Sequence, residues 1–318
     1  MLCRTFASRF FSKTIMMTSP SLTLSVLEAQ DDTTSTALIE LLKEDPKFIS
    51  LSASEGNDLM QRDALDEEKL ARGIAIACDR GVLPPNPPVE PVTKIDVFGK
   101  TAEEVCQEIV ALLPKGGGGL LLVLQGLSGT GKGTTVKKLQ GVLPNCMTWS
   151  NGNVFRALTY LALQRSPTLG PNTLTAELLA DCMSKLSFQK FDDGYDVVME
   201  DQRVSRISNT LLKAPNVSQN VPIVAEVSQG EVVLFASRAL QILESAGCSV
   251  LLEGRAQTLN YIRTQNRFEL IIKSAELLGQ RRAAQRVMAA ALQEVKKQQG
   301  QVAVPEIRKA LMEALAGL

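Results

Sequence analysis

The segment from Leu122 to Thr135, with the sequence LVLQGLSGTGKGTT, restricts the possible folds more than any other part of the chain. An apolar run is followed by closely spaced glycines, a lysine and threonines. Glycines let backbone N–H groups turn toward one point, and a lysine and the first turn of a following helix add positive charge there. We therefore predict a strand, a loop that holds the phosphates of a ligand, and a helix that begins near Lys132. The predicted phosphate-binding residues are Gly126, Ser128, Gly129, Thr130, Gly131, Lys132, Gly133 and Thr134.

The charge balance and the lack of histidine narrow the functions open to this chain. Its 318 residues include 34 Lys or Arg and 34 Asp or Glu, so no overall field favours nucleic acid or a membrane surface. No apolar run approaches the ~20 residues that span a bilayer. The absence of histidine disfavours hydrolytic triads and most zinc sites, whereas phosphoryl transfer depends mainly on positioning and charge neutralisation. We expect no nucleic-acid partner and no membrane partner.

The N-terminal residues 1–25 are basic and rich in Ser and Thr, and no acidic residue precedes Glu28. This composition is typical of an organelle transit peptide; the alternative is a disordered basic tail or an upstream start, with Met16 or Met17 as an internal initiator. The six cysteines form no CxxC pair, which indicates a reducing compartment. We expect a mitochondrial or other organellar location, and otherwise a cytoplasmic one.

The rest of the chain divides into two predicted segments. Residues 26–93 read as a helical extension that ends in a proline-rich connector, Val82 to Val92. From residue 94 to 318, strand candidates alternate with helical stretches, which predicts an α/β fold with a parallel sheet and helices on both faces. The strands are expected at KIDVFG, LLLVLQ, NCMTW, SVLLEG and FELIIKS. Period-two alternation around Asp192, Asp193 and Gly194 predicts a small inserted hairpin.

The residue after Lys132 distinguishes classes of phosphate-binding proteins. Most nucleotide triphosphatases place there a serine or threonine that binds Mg²⁺, whereas this chain has Gly133 and carries the hydroxyl one place later, on Thr134. This pattern, GxxGxGKGT, resembles the nucleoside monophosphate kinases. A circularly permuted GTPase is an alternative because TKID, residues 93–96, imitates a guanine-reading motif. The missing hydroxyl after Lys132 argues against it.

Four further segments resemble the cytidylate kinase family of P-loop nucleoside monophosphate kinases. SNGNVFRALTYLAL, residues 150–163, is similar to that family's SGAxYRAL, and VVMEDQRVSRI is similar to its inserted VxLxGxDVSxxI hairpin. Glu253-Gly254-Arg255 resembles DGRD, and SAELLGQRRAAQR, residues 274–286, resembles SxEERAxRR. The resemblance covers about residues 120–318.

This resemblance implies a three-layer P-loop kinase fold with an insertion, residues 187–240, that binds the monophosphate. It also implies ATP and Mg²⁺ as cofactors, CMP or dCMP as acceptor, and small-molecule nucleotides as partners. We expect a monomer. The implied catalytic residues are Lys132, Arg255, Arg281 and Arg282. The implied monophosphate-binding residues are Asn151, Arg156 and Arg255. Glu253 would organise the metal through water.

Several departures from the family favour a second hypothesis, a nucleotide-binding pseudokinase. Ala256 stands where the family has the aspartate that reads the cytosine and sugar side, and Asn151 stands where it has a serine. Glu231 falls where the family has an arginine, and Pro222 where it has another serine. Buried polar contacts carry strong discrimination between substrates, so their replacement affects base choice. The printed chain also ends at Leu318, before the family's lid arginines, last strand and final helix.

A circular permutation would supply those missing elements. The segment Asp79 to Leu113 resembles the family's C-terminal end, with an arginine, a proline-bearing connector, a strand and a helix. Residues 94–113 would then be the last strand and helix of the kinase fold, and Arg72 and Arg80, with Arg286, would supply the lid charge. The alternative is an unrelated βα unit added to the sheet edge. The permutation requires residues 94–99 to run parallel to, and beside, residues 268–274.

Overall fold

The computed structural model describes residues 22–29, 32–116, 118–170, 172–272, 274–297 and 304–318. The helices are α1 (Leu24–Ala29), α2 (Asp32–Leu42), α3 (Pro46–Asp79), α4 (Ala102–Leu112), α5 (Lys132–Val142), α6 (Asn151–Arg165), α7 (Ala176–Ser184), α8 (Val204–Ile207), α9 (Pro215–Ser245), α10 (Ala256–Leu259), α11 (Ala275–Lys297) and α12 (Val304–Gly317). The strands are β1 (Thr93–Asp96), β2 (Leu120–Gly126), β3 (Cys146–Trp149), β4 (Leu186–Phe191), β5 (Gly194–Met199), β6 (Gln202–Arg203), β7 (Ser249–Gly254) and β8 (Asn266–Ile271). Most of the predicted transit peptide, residues 1–25, lies outside the described residues.

The chain divides into two compact units, and α3 and α11 contribute residues to both. Unit 1 comprises residues 1–49 and 284–318, and unit 2 comprises residues 50–283. In its described part, unit 1 is helical, and its buried side chains include Leu27, Leu38, Leu42, Phe48, Ile307 and Leu311. All the strands belong to unit 2. The predicted segment boundaries after residues 25 and 93 stay predictions.

A parallel sheet of five strands, in the order β1-β8-β2-β7-β3, forms the centre of unit 2. β2 lies in the middle, paired in parallel with β7 on one side and β8 on the other. Its residues alternate between two cores: Leu121 and Val123 pack with α6 and α9, whereas Leu122 and Leu124 pack with α4 and α5. The sheet is therefore covered by helices on both faces, and the predicted three-layer α/β fold is confirmed.

The first strand differs in extent from its prediction. β1 covers Thr93–Asp96 instead of 94–99, because Phe98 lies 61% exposed in the turn before α4 and only Ile95 and Val97 reach the core. β1 runs parallel to β8 and beside it, with Thr93 opposite Phe268. This is the pairing that the permutation requires. An added βα unit at the sheet edge would form the same pairing, so the permutation stays a hypothesis.

The predicted hairpin is present as β4 and β5, which pair antiparallel with Phe191 opposite Gly194. It is followed by α9, a helix of 31 residues with Pro222 inside it. α9 is one of the two longest helices described, and the other is α3, with 34 residues. Among the helices in the described parts of the chain, none combines the length and the apolar character that a membrane span requires.

Glycines allow α3 to approach its neighbours in unit 2 closely. A Cβ on Gly73 of α3 would lie 2.5 Å from Gln229 Cγ and 2.8 Å from the Glu226 carbonyl oxygen, both on α9. A Cβ on Gly279 of α11 would lie 2.2 Å from the Ser52 carbonyl oxygen of α3. Backbone atoms cannot give way as a flexible side chain can, so these contacts define where α3 lies.

We predict that Gly73→Ala destabilises the protein by about 1–3 kcal/mol, because the added methyl group overpacks the contact between α3 and α9. The matched control is Gly141→Ala in α5, where a Cβ would meet no atom within 4 Å. This control should keep or slightly raise stability, by up to about 1 kcal/mol, because alanine favours a helix over glycine. Chemical denaturation of both variants measures the difference. Equal stabilities would contradict the close approach of α3.

Candidate functional site

The loop between β2 and α5 has a backbone conformation that depends on glycine. Gly126, Gly129 and Gly131 have φ angles of 144°, 81° and 87°, in the range that residues with a Cβ rarely adopt. A Cβ on Gly126 would also lie 2.5 Å from the Leu270 carbonyl oxygen of β8. The glycine spacing of the sequence is therefore explained by the path of the loop against the neighbouring strand.

Lys132, the first residue of α5, folds back across this loop. Its Nζ donates hydrogen bonds of 2.8 Å to the carbonyl oxygens of Gly126 and Leu127. Burial lowers the pKa of Lys132, and nearby Arg255 lowers it further, while Glu253 and Asp63 act in the opposite direction. Two cations and two acids therefore lie around the loop, even though the whole chain has no net charge.

Arg255 follows β7 and reaches the loop, as the sequence predicts for a residue beyond the carboxyl end of a strand next to β2. Its Nη2 lies 3.3 Å from Ser128 Oγ. Its Nη1 is buried and has no hydrogen-bond partner among the residues that the structure describes. A buried donor without a partner costs free energy, so Arg255 retains the capacity to bind an anion.

Asp63 is the residue at this site that the sequence analysis missed. It projects from α3 and is 2% exposed. Its carboxylate accepts hydrogen bonds from the Ser128 backbone N–H at 2.8 Å, from Ser128 Oγ at 2.6 Å and from Arg255 Nη2 at 2.5 Å. Burial opposes ionisation, but the hydrogen bonds from Arg255 and Ser128 outweigh it and lower the pKa of Asp63 to about 2. Asp63 is therefore a buried carboxylate held by three donors.

The sequence feature that could have identified Asp63 is an acidic residue on the buried face of α3. Ser52, Glu55, Leu59 and Asp63 recur at spacings of three and four and are all buried. An acidic residue on the buried face of a helix requires a donor or a cation opposite it. Spacing alone does not identify that partner, because Arg255 is distant in sequence.

Arg267 is a second residue that the sequence analysis did not select. It is 1% exposed and donates from Nη1 to the Ile262 carbonyl oxygen at 2.7 Å and from Nη2 to the Leu259 carbonyl oxygen at 3.1 Å. Leu259 is the last residue of α10, the short helix whose N-cap is Arg255, and Ile262 lies just beyond that helix. Arg267 thus fixes the segment that carries Arg255.

The predicted monophosphate-binding residues Asn151 and Arg156 lie on α6, directly after β3. β3 pairs in parallel with β7, and Trp149 lies opposite Leu252, so α6 and Arg255 leave the sheet at the same edge. Asn151 Oδ1 accepts a hydrogen bond of 2.7 Å from Trp149 Nε1. The Arg156 guanidinium folds toward the start of α6, since a Cβ on Gly152 would lie 3.3 Å from its Nη1.

Glu253, the predicted metal organiser, is an exposed residue at the carboxyl end of β7 and close enough to Lys132 to influence its pKa. No group of three or more Cys, Asp or Glu side chains with the geometry of a metal site occurs in the described part of the chain. Mg²⁺ commonly takes one or two protein ligands and completes its shell with water and substrate phosphates. Glu253 and the half-buried Thr134 hydroxyl fit such a role.

Two of the tentative lid arginines, Arg72 and Arg80, are bound elsewhere in unit 2. Arg80 forms an ion pair with Glu231 of α9, and Arg72 binds Glu226 of α9 at 3.1 Å. At about 1.5 Å per residue, roughly 24 Å of helix axis separates Asp63 from the end of α3, so Arg80 is not brought to the loop. The same ion pair gives Glu231 a structural partner directly after α3.

The arginines of α11 are divided between the two units. Arg282 Nε lies 3.6 Å from a carboxylate oxygen of the buried Glu55, and Arg281 also belongs to unit 2, whereas Arg286 belongs to unit 1. The ion pair with Glu55 gives Arg282 a structural role. The catalytic roles of Arg281 and Arg282, and the lid role of Arg286, stay predictions.

No family model matches the chain, and no curated protein is significantly similar to it in sequence. The resemblance to cytidylate kinases therefore stays a prediction that rests on the motifs themselves.

We predict that Asp63 makes stability depend on pH in the acid range. Its pKa is about 2 in the folded chain against 3.8 ordinarily, so its stabilisation is complete above about pH 4 and is lost as the pH falls toward 2. This difference corresponds to about 2 kcal/mol. The free energy of unfolding, measured by chemical denaturation from pH 6 to 3, should therefore fall less steeply for Asp63→Asn than for the parent chain.

The matched control for this experiment is Asp66→Asn, an exposed acid on the same helix. Its pH profile should follow that of the parent chain. Parallel profiles for the parent chain and Asp63→Asn would contradict the three-donor contact.

Proposed function

We propose that this chain transfers the γ-phosphoryl group of ATP to a nucleoside monophosphate, with CMP or dCMP as the acceptor. The observation that carries the proposal is the approach of Arg255 to the glycine-rich loop, with Nη2 3.3 Å from Ser128 Oγ and Nη1 buried without a partner in the described residues. A loop suited to a donor phosphate and a guanidinium group suited to an acceptor phosphate are thereby adjacent. Adjacency of the two anions is the first requirement of phosphoryl transfer.

The donor phosphates would be held by the loop and the start of α5. The backbone N–H groups between Ser128 and Thr134 would bind these phosphates, together with the partial positive charge of the helix N-terminus. The Ser128 N–H would first have to leave Asp63. Lys132 already lies across the loop through its bonds to Gly126 and Leu127. Exchange of these two carbonyl partners for phosphate oxygens would bring its charge onto the transferred group.

The acceptor phosphate would be held by guanidinium groups. Arg255 Nη1 has no hydrogen-bond partner among the described residues, and Arg156 lies on the helix that begins at the same edge of the sheet. Planar guanidinium groups bind phosphate oxygens in pairs and fix their direction. An acceptor phosphate oxygen is itself the nucleophile, so no protein base is required, in keeping with a chain that contains no histidine.

Mg²⁺ would accompany ATP and neutralise charge on the transferred group. Glu253 is the carboxylate available to orient its water ligands, and Thr134 offers a hydroxyl in the first turn of α5.

A second candidate function is nucleotide binding without catalysis, as in a pseudokinase. The observation that favours it is the carboxylate of Asp63, which occupies the donors of Ser128 and Arg255. Ala256, at the position where the resemblance implies an aspartate, points in the same direction because it removes a contact to the acceptor.

We predict acceptor-dependent formation of ADP from ATP in a coupled assay, tested with each nucleoside monophosphate in turn. Lys132→Ala should lower kcat by about 10³-fold or more, because charge stabilisation of the transferred group is lost. Arg255→Lys should lower kcat and raise KM for the acceptor, because a single ammonium group cannot replace a guanidinium fork. The matched control is Lys137→Ala, an exposed lysine of α5, which should leave both constants unchanged.

The kinase proposal would be overturned if the parent chain binds ATP, and Lys132→Ala does not, but no acceptor-dependent ADP forms. The pseudokinase hypothesis would then remain. Turnover with a different nucleoside monophosphate would change only the identity of the proposed acceptor.

A further inference from the structure

The donors that hold Asp63 belong to two residues, Ser128 and Arg255, to which the proposed function assigns the binding of phosphate groups. A backbone N–H, a hydroxyl and a guanidinium N–H converge on one carboxylate, at 2.8, 2.6 and 2.5 Å. Carboxylate and phosphate oxygens accept the same charge-assisted hydrogen bonds. Asp63 and a bound phosphoryl group therefore compete for Ser128 and Arg255.

The packing of α3 presents Asp63 to the loop. Gly279 of α11 permits close contact with Ser52, before Asp63, and Gly73 permits close contact with α9, after it. Leu59, one turn before Asp63, lies beside the loop: a Cβ on Gly129 would be 3.7 Å from its Cδ2. These close contacts before and after Asp63 place its side chain at the loop.

A role for Asp63 as a proton acceptor fits these contacts poorly. Its two oxygens already accept three hydrogen bonds, and its pKa of about 2 makes it a weak base at neutral pH. Transfer to a phosphate oxygen also needs no base. These contacts fit a carboxylate that occupies the phosphate site better than they fit a catalytic base.

We propose that α3 inhibits the loop from within the chain, with Asp63 occupying the position of a phosphoryl group until α3 withdraws it. This inference rests on the phosphate-binding part of the proposed function and not on the transfer reaction. The apparent association constant for a phosphate ligand equals the intrinsic constant multiplied by the fraction of molecules in which the site is free. Removal of the carboxylate should therefore increase affinity without adding any contact to the ligand.

The test is calorimetric titration of inorganic tripolyphosphate into four folded proteins at neutral pH: the parent chain, Asp63→Asn, Asp63→Ala and the control Asp66→Asn. We expect Asp63→Asn to bind at least about 10-fold more tightly than the parent chain, because the amide lacks the charge. Asp63→Ala should bind at least as tightly as Asp63→Asn, because it also lacks the acceptor oxygen. Asp66→Asn, on the exposed face of the same helix, should match the parent chain.

Equal or weaker binding by both Asp63 variants would overturn the inhibitory role, and weaker binding would indicate that Asp63 organises the loop instead. Absence of binding in all four proteins would overturn the role as well. Tighter binding by the Asp63 variants, without phosphorylation of any nucleoside monophosphate, would leave this inference intact and remove only the kinase proposal.

Hydrogen exchange of the parent chain provides a second measurement that needs no substitution. With saturating tripolyphosphate, amides of residues 126–134 should exchange more slowly, and those of residues 59–67 should exchange faster because α3 has lost its contact with the loop. Slower exchange in both segments would overturn the proposal.

Discussion

The close passage of Gly126 beside β8 is the constraint on which the site depends. The carbonyl group of Leu270 leaves no room for a Cβ at this position, so the chain can leave β2 there only as glycine. This departure directs the loop over the edge of the sheet and places Lys132 at the start of α5. β7 lies next to β2, and β3 lies one strand further on. Because these strands are parallel, they end at the same edge of the sheet and bring Arg255 and α6 to it.

Local charge, and not overall charge, determines what the site can bind. The chain has equal numbers of acidic and basic residues, yet Arg255 is close enough to Lys132 to lower the pKa of that lysine. Asp63 lies close to both cations and offsets their charge. The same carboxylate thus stabilises the folded chain and opposes the entry of an anion, which is a direct conflict between stability and binding.

The parts of the fold that follow from local pattern were predictable from the sequence. The strand, loop and helix around Gly126 to Lys132 are encoded within one short segment, and alternation of strands and helices implies a parallel sheet. The hairpin around Asp192 and Asp193 is likewise encoded by a local pattern, the alternation of apolar and polar residues. The extent of β1 was less accessible, because tertiary burial of Ile95 and exposure of Phe98 define it.

The site itself was only partly predictable. Arg255 carries a motif and follows a strand, so its position beyond the sheet could be inferred. Asp63 carries no motif, and its role depends on how α3 packs against α9 and α11 in unit 2, which spacing along the helix does not specify. The ion pair of Arg80 with Glu231 was inaccessible for the same reason.

The most direct test of the central claim, that a donor-phosphate loop faces an acceptor-phosphate pocket, is the affinity for adenosine and cytidine joined through their 5′ positions by five phosphates. Such a ligand fills both pockets only if they face each other at the distance of a transferred phosphoryl group. The account predicts that it binds at least about 100-fold more tightly than ATP alone, with the gain lost in Arg255→Ala. Binding no tighter than that of ATP would contradict the account.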